Sequence, residues 1–351
     1  MEKKTKTIKI GSLKIGGGNP ISVQSMTKTD TSDVSATVKQ IKELEAAGCQ
    51  IVRCAVKNEE DALAISKIKK QISIPLVADI HFNYKLAVIA VNEGADKIRI
   101  NPGNIGGGEK IKAVVDVCKE AKIPIRVGVN SGSLEKDLLK KYKHPTAEAL
   151  VESALRNVKI LEKLNFKDIV ISIKATSVIT TIKAYRLLSK KTNYPLHVGI
   201  TESGIPKTGI IRSSVGIGAI LADGIGDTIR VSLTGNPVEE VRVGFEILKS
   251  LELIRHGVTI ISCPTCGRCN YDVEKVALKI EKRTRRIKSP LKVAIMGCEV
   301  NGPGEAADAD VGLAGGNGIG IIFRSGEVVR RVPEDEMIDA LIDEIESFSL
   351  K

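Results

Sequence analysis

Short apolar runs alternate with longer amphipathic stretches along most of the chain, from Ile21 onward. Each run is rich in Ile and Val and predicts a buried strand. The stretches between the runs carry apolar residues at three- and four-residue spacing, which predicts helices, most clearly over residues 34–47 and 147–164. The predicted strands cover residues 21–25, 51–55, 76–81, 97–101, 125–130, 169–174, 196–200 and 228–232.

Eight strand–helix units within about 230 residues are the number found in a (β/α)8 barrel of the TIM type. An open doubly wound sheet is the alternative, but such sheets usually have fewer strands. We therefore predict an α/β chain with a substrate-binding barrel over residues 1–255. Residues 256–351 are Cys- and Gly-rich, end in a predicted helix at about 334–347, and predict a smaller α+β domain. The Gly-rich stretch 9–20 predicts a hairpin or lid before the barrel.

The composition narrows the function classes. Hydrophobic residues make up 42% of the chain, which excludes disorder. The formal net charge of +11 suggests nucleic acid, but Lys and Arg are spread over predicted helices, and five Tyr, five Phe and no Trp give few rings for stacking. No apolar run approaches the ~20 residues of a membrane span, and no secretory signal follows Met1. We expect a cytoplasmic protein that binds neither nucleic acid nor membrane.

Four of the seven cysteines, Cys263, Cys266, Cys269 and Cys298, fall within 36 residues. Thiolates at C-x2-C-x2-C spacing bind iron–sulfur clusters or zinc. A structural zinc site usually has a second close ligand pair, which Cys298 lacks. A Gly/Pro turn after Cys298 instead returns the carboxylate of Glu305. The spacing leaves open whether Cys269 or Glu305 is the fourth ligand: four thiolates suit electron transfer, whereas a weak carboxylate is displaceable and opens one iron to substrate.

Polar side chains lie inside the strand runs, near their C-terminal ends. Three pairs at i, i+2 spacing share one face of a strand, and in a closed barrel that face lines the interior. Five cations from five strands with few anions predict a phosphate-bearing ligand, for which Arg supplies paired donors. Outward-facing arginines paired with helix carboxylates are the alternative, which five repeats argue against. The predicted substrate-binding residues are Arg53, Arg99, Asn101, Arg126, Asn130, Lys174, Arg230 and Ser232.

Three further residues are candidates for proton transfer. Glu202 ends the seventh predicted strand, and Asp79 and His81 share a face near the end of the third. A structural role for His81 is the alternative. His197 begins a strand and receives no assignment.

Six segments, in order along essentially the whole chain, resemble the 4-hydroxy-3-methylbut-2-enyl diphosphate synthase family in its bacterial two-domain form. They are 79–82 (DIHF), 97–104 (KIRINPGN), 125–133 (IRVGVNSGS), 196–202 (LHVGITE), 262–268 (SCPTCGR) and 297–305 (GCEVNGPGE). The resemblance implies an oxidoreductase of the non-mevalonate isoprenoid pathway. Its substrate would be 2-C-methyl-D-erythritol 2,4-cyclodiphosphate, which is reductively opened and dehydroxylated.

The resemblance also implies a 4Fe–4S cluster held by Cys263, Cys266, Cys298 and Glu305, with Glu305 as the displaceable ligand. Cys269 departs from the family pattern, and we interpret it as a non-ligand. The family holds substrate phosphates with the barrel residues already selected. We expect Glu202 to handle protons, with Asp79 and His81 nearby. Because electrons reach such a cluster one at a time, a flavodoxin or ferredoxin is implied as electron donor, and nothing in the sequence indicates a nicotinamide or flavin site.

The chain order predicts quaternary structure. The eighth helix runs from the top of the barrel to the bottom, so the cysteine domain is attached at the bottom, about 40 Å from the cationic mouth. A head-to-tail homodimer would place each cluster over the partner's barrel, as the resemblance also implies. Two rival hypotheses are a cluster-carrying electron-transfer protein, which leaves the cations unexplained, and a zinc-containing barrel enzyme acting on another phosphorylated substrate.

Overall fold

The computed structural model describes residues 4–298, 308–316 and 318–349. The chain divides into two compact units, Met1–Leu253 and Ile254–Lys351. The predicted division at 255/256 falls two residues later.

The first unit is a barrel of parallel strands, which confirms the predicted fold class. Its strands, with the N-terminal pair first, are β1 Ile8–Ile10, β2 Leu13–Ile15, β3 Ser22–Met26, β4 Ile51–Ala55, β5 Leu76–Asp79, β6 Lys97–Ile100, β7 Ile125–Asn130, β8 Ile169–Lys174, β9 His197–Val198 and β10 Thr228–Ile229. The sheet order is β8-β7-β6-β5-β4-β3-β10-β9, and a parallel bridge from Ile171 to Leu196 closes the ring. The carboxyl ends of all eight strands therefore meet at one mouth.

Helices follow the strands around the outside of the barrel. They are α1 Val34–Ala46, α2 Glu59–Lys69, α3 Tyr84–Asn92, α4 Pro102–Ile105, α5 Gly108–Glu120, α6 Lys136–Tyr142, α7 Ala147–Lys163, α8 Val178–Ser189, α9 Pro206–Ala222 and α10 Pro237–Ser250. Asp33, Asn58 and Thr146 start their helices by accepting a backbone N–H of the first turn. Such caps fix where each strand-to-helix loop ends.

A hairpin closes the end of the barrel opposite the mouth. β1 and β2 pair antiparallel, within the stretch where the sequence predicted a hairpin or lid. Ile8, Ile10 and Ile15 of the hairpin are buried in one apolar cluster with residues near the starts of the barrel strands, namely Ile51, Val77 and Val170. The lowest layer of the barrel interior is therefore apolar.

The second unit is a five-stranded sheet with helices, as predicted for an α+β domain. Its elements are β11 Val258–Ser262, α11 Val273–Thr284, β12 Leu291–Met296, β13 Val311–Gly316, β14 Ile319–Arg324, β15 Glu327–Pro333 and α12 Met337–Ser349. β11, β12 and β13 are parallel, and β13, β14 and β15 are antiparallel. The helices bury Ile280 and Leu341 against Val293 and Ile295 of β12. Within the described residues of both units, no helix is long and apolar enough to span a membrane.

Candidate functional site

Basic side chains from five strands converge inside the barrel, as the i, i+2 pairs predicted. Asp79, Arg99 and Arg126 are Cα partners across the adjacent strands β5, β6 and β7. Arg53 lies on β4 and Lys174 ends β8, and both are buried. Arg53 and Lys174 have other Cα partners, Val77 and Asn130, but both lie close enough to the remaining cations to be affected by their charge, so the cations form a ring inside the barrel.

Asp79 is the carboxylate at the centre of this ring. Its Oδ1 accepts a hydrogen bond from Arg99 Nη1 at 3.0 Å, and its Oδ2 lies 3.6 Å from Arg53 Nε and 3.5 Å from His81 Nε2. Burial raises the pKa of Asp79, but Arg53, His81 and Arg99 outweigh burial and hold it well below its usual range. Asp79 is therefore ionised at neutral pH and orients the groups around it.

Arg53 and Arg230 each contact a different kind of acceptor, a sulfur and a carboxylate. Arg53 Nε and Nη2 lie 3.0 and 2.8 Å from the sulfur of Met26, a weak acceptor. Burial lowers the pKa of Arg53 to about 9, which leaves the guanidinium charged at neutral pH. Arg230 Nη2 lies 3.5 Å from Glu240, a buried carboxylate on α10. These two carboxylates, Asp79 and Glu240, are the anions paired with the ring.

Arg126 and Lys174 are the two members of the ring with no carboxylate partner among the described residues. Arg126 is 1% exposed, and its Nε and Nη1 have no hydrogen-bond partner among the described residues. Burial, together with neighbouring arginines, lowers the pKa of Arg126 and of Lys174 well below their usual values. Arginine nevertheless keeps its proton in proteins. Buried cations without anions favour a ligand that brings negative charge, such as a diphosphate.

Two glycines, one on β7 and one directly after β9, make room for the cationic side chains. A Cβ on Gly128 of β7 would lie 2.5 Å from Arg99 Nε, and one on Gly199 would lie 2.9 Å from Lys174 Nζ and 2.5 Å from the carbonyl oxygen of Arg230. Any larger residue at either position would displace the cation beside it. The glycines thus set the orientation of Arg99 and Lys174.

Glu202 stands at the exposed rim, after β9. Its backbone φ is +52°, in the left-handed region that non-glycine residues seldom adopt, and its Oε2 accepts a hydrogen bond from Thr176 Oγ1 at 3.0 Å. Residues held in this way occur preferentially at functional sites. His81 is also on the rim, where its Nε2 lies 3.0 Å from Arg99 Nη1.

The structure places the other predicted substrate-binding residues, Asn101, Asn130 and Ser232, in different kinds of position. Asn101 is buried, and its Oδ1 accepts a hydrogen bond from Gly103 N, which starts the short helix α4. This cap is a structural role that the sequence did not reveal. Asn130 ends β7 opposite Lys174, and Ser232 is half-buried just beyond β10, so both lie at the mouth.

The structure adds three interior residues that sequence reasoning missed. Lys97 and His197 are completely buried, and Gln24 is 1% exposed. Both side-chain amide atoms of Gln24, Lys97 Nζ and His197 Nε2 have no hydrogen-bond partner within the described ranges. Lys97 precedes Arg99 by two residues on the same strand face, so alternation along β6 was the signal that could have identified it.

The cysteines gather at the carboxyl ends of two adjacent parallel strands of the second unit. Cys263 directly follows β11, and Cys298 follows β12 after one intervening residue, Gly297. The N–H of Gly297 donates a hydrogen bond to Cys263 Sγ at 3.2 Å. Backbone donors to cysteine sulfur are typical of iron–sulfur sites, where they tune the thiolate. Cys266 is exposed on the intervening turn.

Cys269 lies on the inner side of this group. Its thiol donates a hydrogen bond to the carbonyl oxygen of Tyr271 at 3.1 Å. A Cβ on Gly297 would lie 2.4 Å from Cys269 Sγ and 3.2 Å from Cys263 Sγ, so the two sulfurs face the same glycine. Among the residues the structure describes, no three His, Cys, Asp or Glu side chains form a complete metal site. Glu305, a predicted ligand and catalytic residue, lies outside those residues.

The cysteine sulfurs at the carboxyl ends of β11 and β12 are metal ligands of the type that an iron–sulfur cluster requires. Cys263 and Cys298 offer soft thiols from neighbouring strand ends, and Cys266 offers a third from the turn.

The sequence comparisons place both units in one family. A model described as the GcpE TIM-barrel domain matches residues 5–245, and a model described as the GcpE protein C-terminal domain matches residues 259–347.

Curated relatives match along their whole length. The protein named 4-hydroxy-3-methylbut-2-en-1-yl diphosphate synthase (flavodoxin) of Caldanaerobacter subterraneus subsp. tengcongensis is 60% identical, covering 99% of this chain and 98% of the relative. The protein of the same name from Clostridium perfringens is 58% identical, covering 98% of this chain and 99% of the relative. A solved N-acetylneuraminic acid synthetase of Leptospira borgpetersenii serovar Hardjo-bovis has a TM-score of 0.52 at 13% identity, covering 82% of this chain and 100% of that one. This last likeness concerns the fold alone.

Proposed function

We propose, because the chain belongs to the GcpE family of 4-hydroxy-3-methylbut-2-en-1-yl diphosphate synthases, that the mouth of its barrel binds the cyclic diphosphate substrate. The predicted family, activity and 4Fe–4S cofactor are confirmed by this membership. The chain is an oxidoreductase of the non-mevalonate isoprenoid pathway. The observation that supports the location is the ring of buried cations, whose charge Asp79 and Glu240 only partly balance.

The reaction defines what the mouth must do. Two electrons enter, the C–O bond between the ring carbon and its phosphate breaks, and a hydroxyl leaves as water after protonation. The diphosphate stays attached at the other end of the product. We propose that Arg53, Arg99, Arg126, Lys174 and Arg230 hold its phosphates while the carbon end faces the rim, with Asn101, Asn130 and Ser232 assisting. Fixed guanidinium donors suit this task because they bind phosphate oxygens in pairs.

The proton-transfer residues have different roles in this proposal. Asp79 is a poor acid, because its neighbours hold its pKa far below neutrality. It therefore orients Arg99 and His81, with which it is in contact. Glu202, exposed on the rim and hydrogen-bonded to Thr176, is our candidate for delivering the proton to the leaving hydroxyl.

We propose Cys263, Cys266, Cys298 and Glu305 as the ligands of the 4Fe–4S cluster. When bound, the cluster supplies electrons one at a time and a Lewis-acidic iron. Cys269 is left out of the proposed set; its thiol donates a hydrogen bond to the Tyr271 carbonyl instead. A flavodoxin is the electron donor we assign, since the relatives are named as flavodoxin-dependent synthases; a ferredoxin could fill the same role.

The test of this function is anaerobic turnover. The protein would be reconstituted with iron and sulfide and then mixed with reduced flavodoxin and the cyclic diphosphate. We expect the allylic hydroxy-diphosphate as product. Brown, cluster-loaded protein that forms no product would contradict the proposal and favour an electron-transfer protein, whereas a colourless metal-loaded protein would favour a zinc enzyme.

We further propose a head-to-tail homodimer in which the cysteine unit of one subunit serves the barrel of its partner. Support comes from chain order, because α10 starts after β10 at the mouth and ends at Ser250, toward the opposite end of the barrel. Mixing two impaired variants, assayed at a substrate concentration too low to occupy the damaged barrel, tests the idea: Arg126→Met damages the barrel and Cys298→Ala damages the cluster site. Hybrid dimers would regain one intact barrel–cluster pair, or about a quarter of wild-type activity after random exchange. Absence of any recovery, with exchange of subunits verified, would contradict it.

A further inference from the structure

A layer of polar side chains lies between the apolar hairpin contact and the cationic ring of the mouth. Gln24, Lys97 and His197 belong to it, each at most 1% exposed. The Cα partners of Gln24 and Lys97 on adjacent strands are Ile51 and Val77, which contact the hairpin. This layer, which we call the barrel floor, therefore rests directly on the apolar end of the barrel.

Lys97 faces positive charge in its surroundings. Burial, followed by Arg126 and Arg53, lowers the pKa of Lys97 well below its usual value. His197 is affected in the same way by burial and then by Arg126, Lys174, Lys97 and Arg53. Its Nδ1 lies 2.7 Å from Thr228 Oγ1, and its Nε2 has no partner among the described residues. When no ligand is bound, burial among cations therefore disfavours the charged forms of both side chains.

The other charged groups of the interior belong to the ring above. They are Arg53, Asp79, His81, Arg99, Arg126, Lys174 and Arg230 on or just after the barrel strands, together with Glu240 of α10, which is paired with Arg230. Asp79 is already paired with Arg99 and Arg53. Its negative charge is therefore not available to stabilise a proton on Lys97.

Binding of the anionic substrate favours the protonated forms of Lys97 and His197 instead. In the cyclic diphosphate each phosphorus carries one strongly acidic hydroxyl, so the substrate is a dianion that does not titrate near neutral pH. A dianion held by the cations of the ring attracts a proton to a nearby amine and so raises the pKa of that amine. Arg53 and Arg126, which are assigned to the phosphates, lie close enough to Lys97 and His197 to affect their pKa values, so negative charge bound to these arginines acts on both side chains in the opposite direction.

We propose that the barrel floor takes up a proton from solvent, on Lys97 with His197 as its neighbour, when the anionic substrate binds at the mouth. The proposal rests on the function proposed above. It follows that substrate affinity rises as pH falls, because the complex holds more protons than the free protein. One full proton corresponds to a tenfold change in affinity for each pH unit, and partial uptake to less.

Titration calorimetry tests the proposal on the oxidised holoenzyme with the cyclic diphosphate and no electron donor, so that binding occurs without turnover. Experiments at one pH in two buffers of different ionisation enthalpy give the number of protons exchanged. We expect uptake of between half a proton and one proton in the wild type. Lys97→Met should lose at least half of that uptake, and Lys112→Met, on the exposed surface of α5, should lose none.

Other outcomes would overturn the inference. A binding enthalpy independent of the buffer would show that no proton is exchanged. Uptake that persists in Lys97→Met but disappears in Lys174→Met or His81→Asn would place the proton in the mouth instead. If Lys97→Met does not fold, Lys97→Gln serves in its place. Failure of the wild type to bind substrate at all would instead count against the proposed function, so the two failures are distinguishable.

Discussion

The barrel mouth and the cysteine end of the second unit are both built at the carboxyl ends of parallel strands, but they differ in how much of the site the protein itself fixes. In the mouth, Arg99 and Arg126 are buried on strands, and Gly128 leaves space for the Arg99 guanidinium. At the cysteine end, Cys266 is exposed on a turn, next to Thr265 with φ of +58°. The mouth is therefore formed before its ligand arrives.

The difference has a functional meaning. A site made of strand residues is held by the barrel whether or not substrate is present, so changes there should alter binding and leave the cofactor in place. A site made of turn cysteines gains much of its order from the metal it binds. Changes there should remove the cofactor and leave substrate binding in the barrel intact. Four variants test this separation.

The largest effect is expected from Cys298→Ala. It removes a thiol at the end of β12, so we expect the cluster to be lost and activity to fall to background. Substrate affinity in the barrel should stay within about twofold, because the cationic ring is untouched. Iron content and visible absorption report the cluster, and calorimetry reports the affinity. Cys118→Ala, a buried cysteine of α5, is the matched control that should keep its iron. Loss of substrate affinity in Cys298→Ala would break the separation.

Arg126→Met should give the reverse result. Hydrogen bonds to charged groups contribute about 1.5–3 kcal/mol each, so losing one weakens substrate binding by about 10- to 100-fold. Iron content should equal that of the wild type. The melting temperature of the free protein should hold or rise, since a buried cation with unpaired donors is removed. Arg186→Met, whose guanidinium pairs with Asp223 on the surface, is the control. Unchanged affinity in Arg126→Met would contradict the proposed phosphate site.

Gly128→Ala is a finer test of how rigidly the mouth positions its residues, because it adds only one methyl group. The new Cβ would fall 2.5 Å from Arg99 Nε and force that side chain to move. Small displacements of positioning groups cost one to two orders of magnitude, and we expect kcat/KM to fall about tenfold. Gly132→Ala is the matched control, since a Cβ at Gly132 has nothing within 4 Å. Equal kinetics for the two variants would show that the orientation of Arg99 is unimportant.

The smallest effect is expected from Cys269→Ser. The serine hydroxyl can still donate to the Tyr271 carbonyl, so we expect full iron content, an unchanged electron paramagnetic resonance spectrum of the reduced cluster and activity within about twofold. The comparison variant is Glu305→Ala, which should change the spectrum. A cluster lost in Cys269→Ser but retained in Glu305→Ala would make Cys269 the fourth ligand.

The sequence predicted the mouth well because strand alternation is a short-range rule. The predicted strands carry Asp79 with His81 and Arg99 with Asn101 at i, i+2 spacing, so a shared face follows from spacing alone, although the regular strands end at Asp79 and Ile100. The floor was missed for the same reason. Whether Lys97 and His197, at the starts of β6 and β9, lie beneath the ring depends on the stagger between strands, which no single segment encodes.

Other differences also have local physical causes. Asn101 has the residue type of a phosphate ligand, but its carbonyl oxygen is used to start α4. Helix-starting and ligand-binding asparagines look alike in sequence. The runs predicted as strands at 196–200 and 228–232 form regular strands only over His197–Val198 and Thr228–Ile229, where they hydrogen-bond to neighbours. The candidate residues that follow these strands therefore stand on irregular backbone, as the left-handed Glu202 illustrates.

The uncompensated cations of the mouth tie the lifetime of the protein in a cell to the supply of its own metabolite. Any dianion that occupies the ring binds the folded chain and not the unfolded one, so it shifts the folding equilibrium by mass action. At a concentration 100 times its dissociation constant, such a ligand adds about 2.7 kcal/mol to stability. Quality-control proteases act on the unfolded fraction. The abundance of the enzyme should consequently rise when its substrate accumulates and decline when the upstream supply stops.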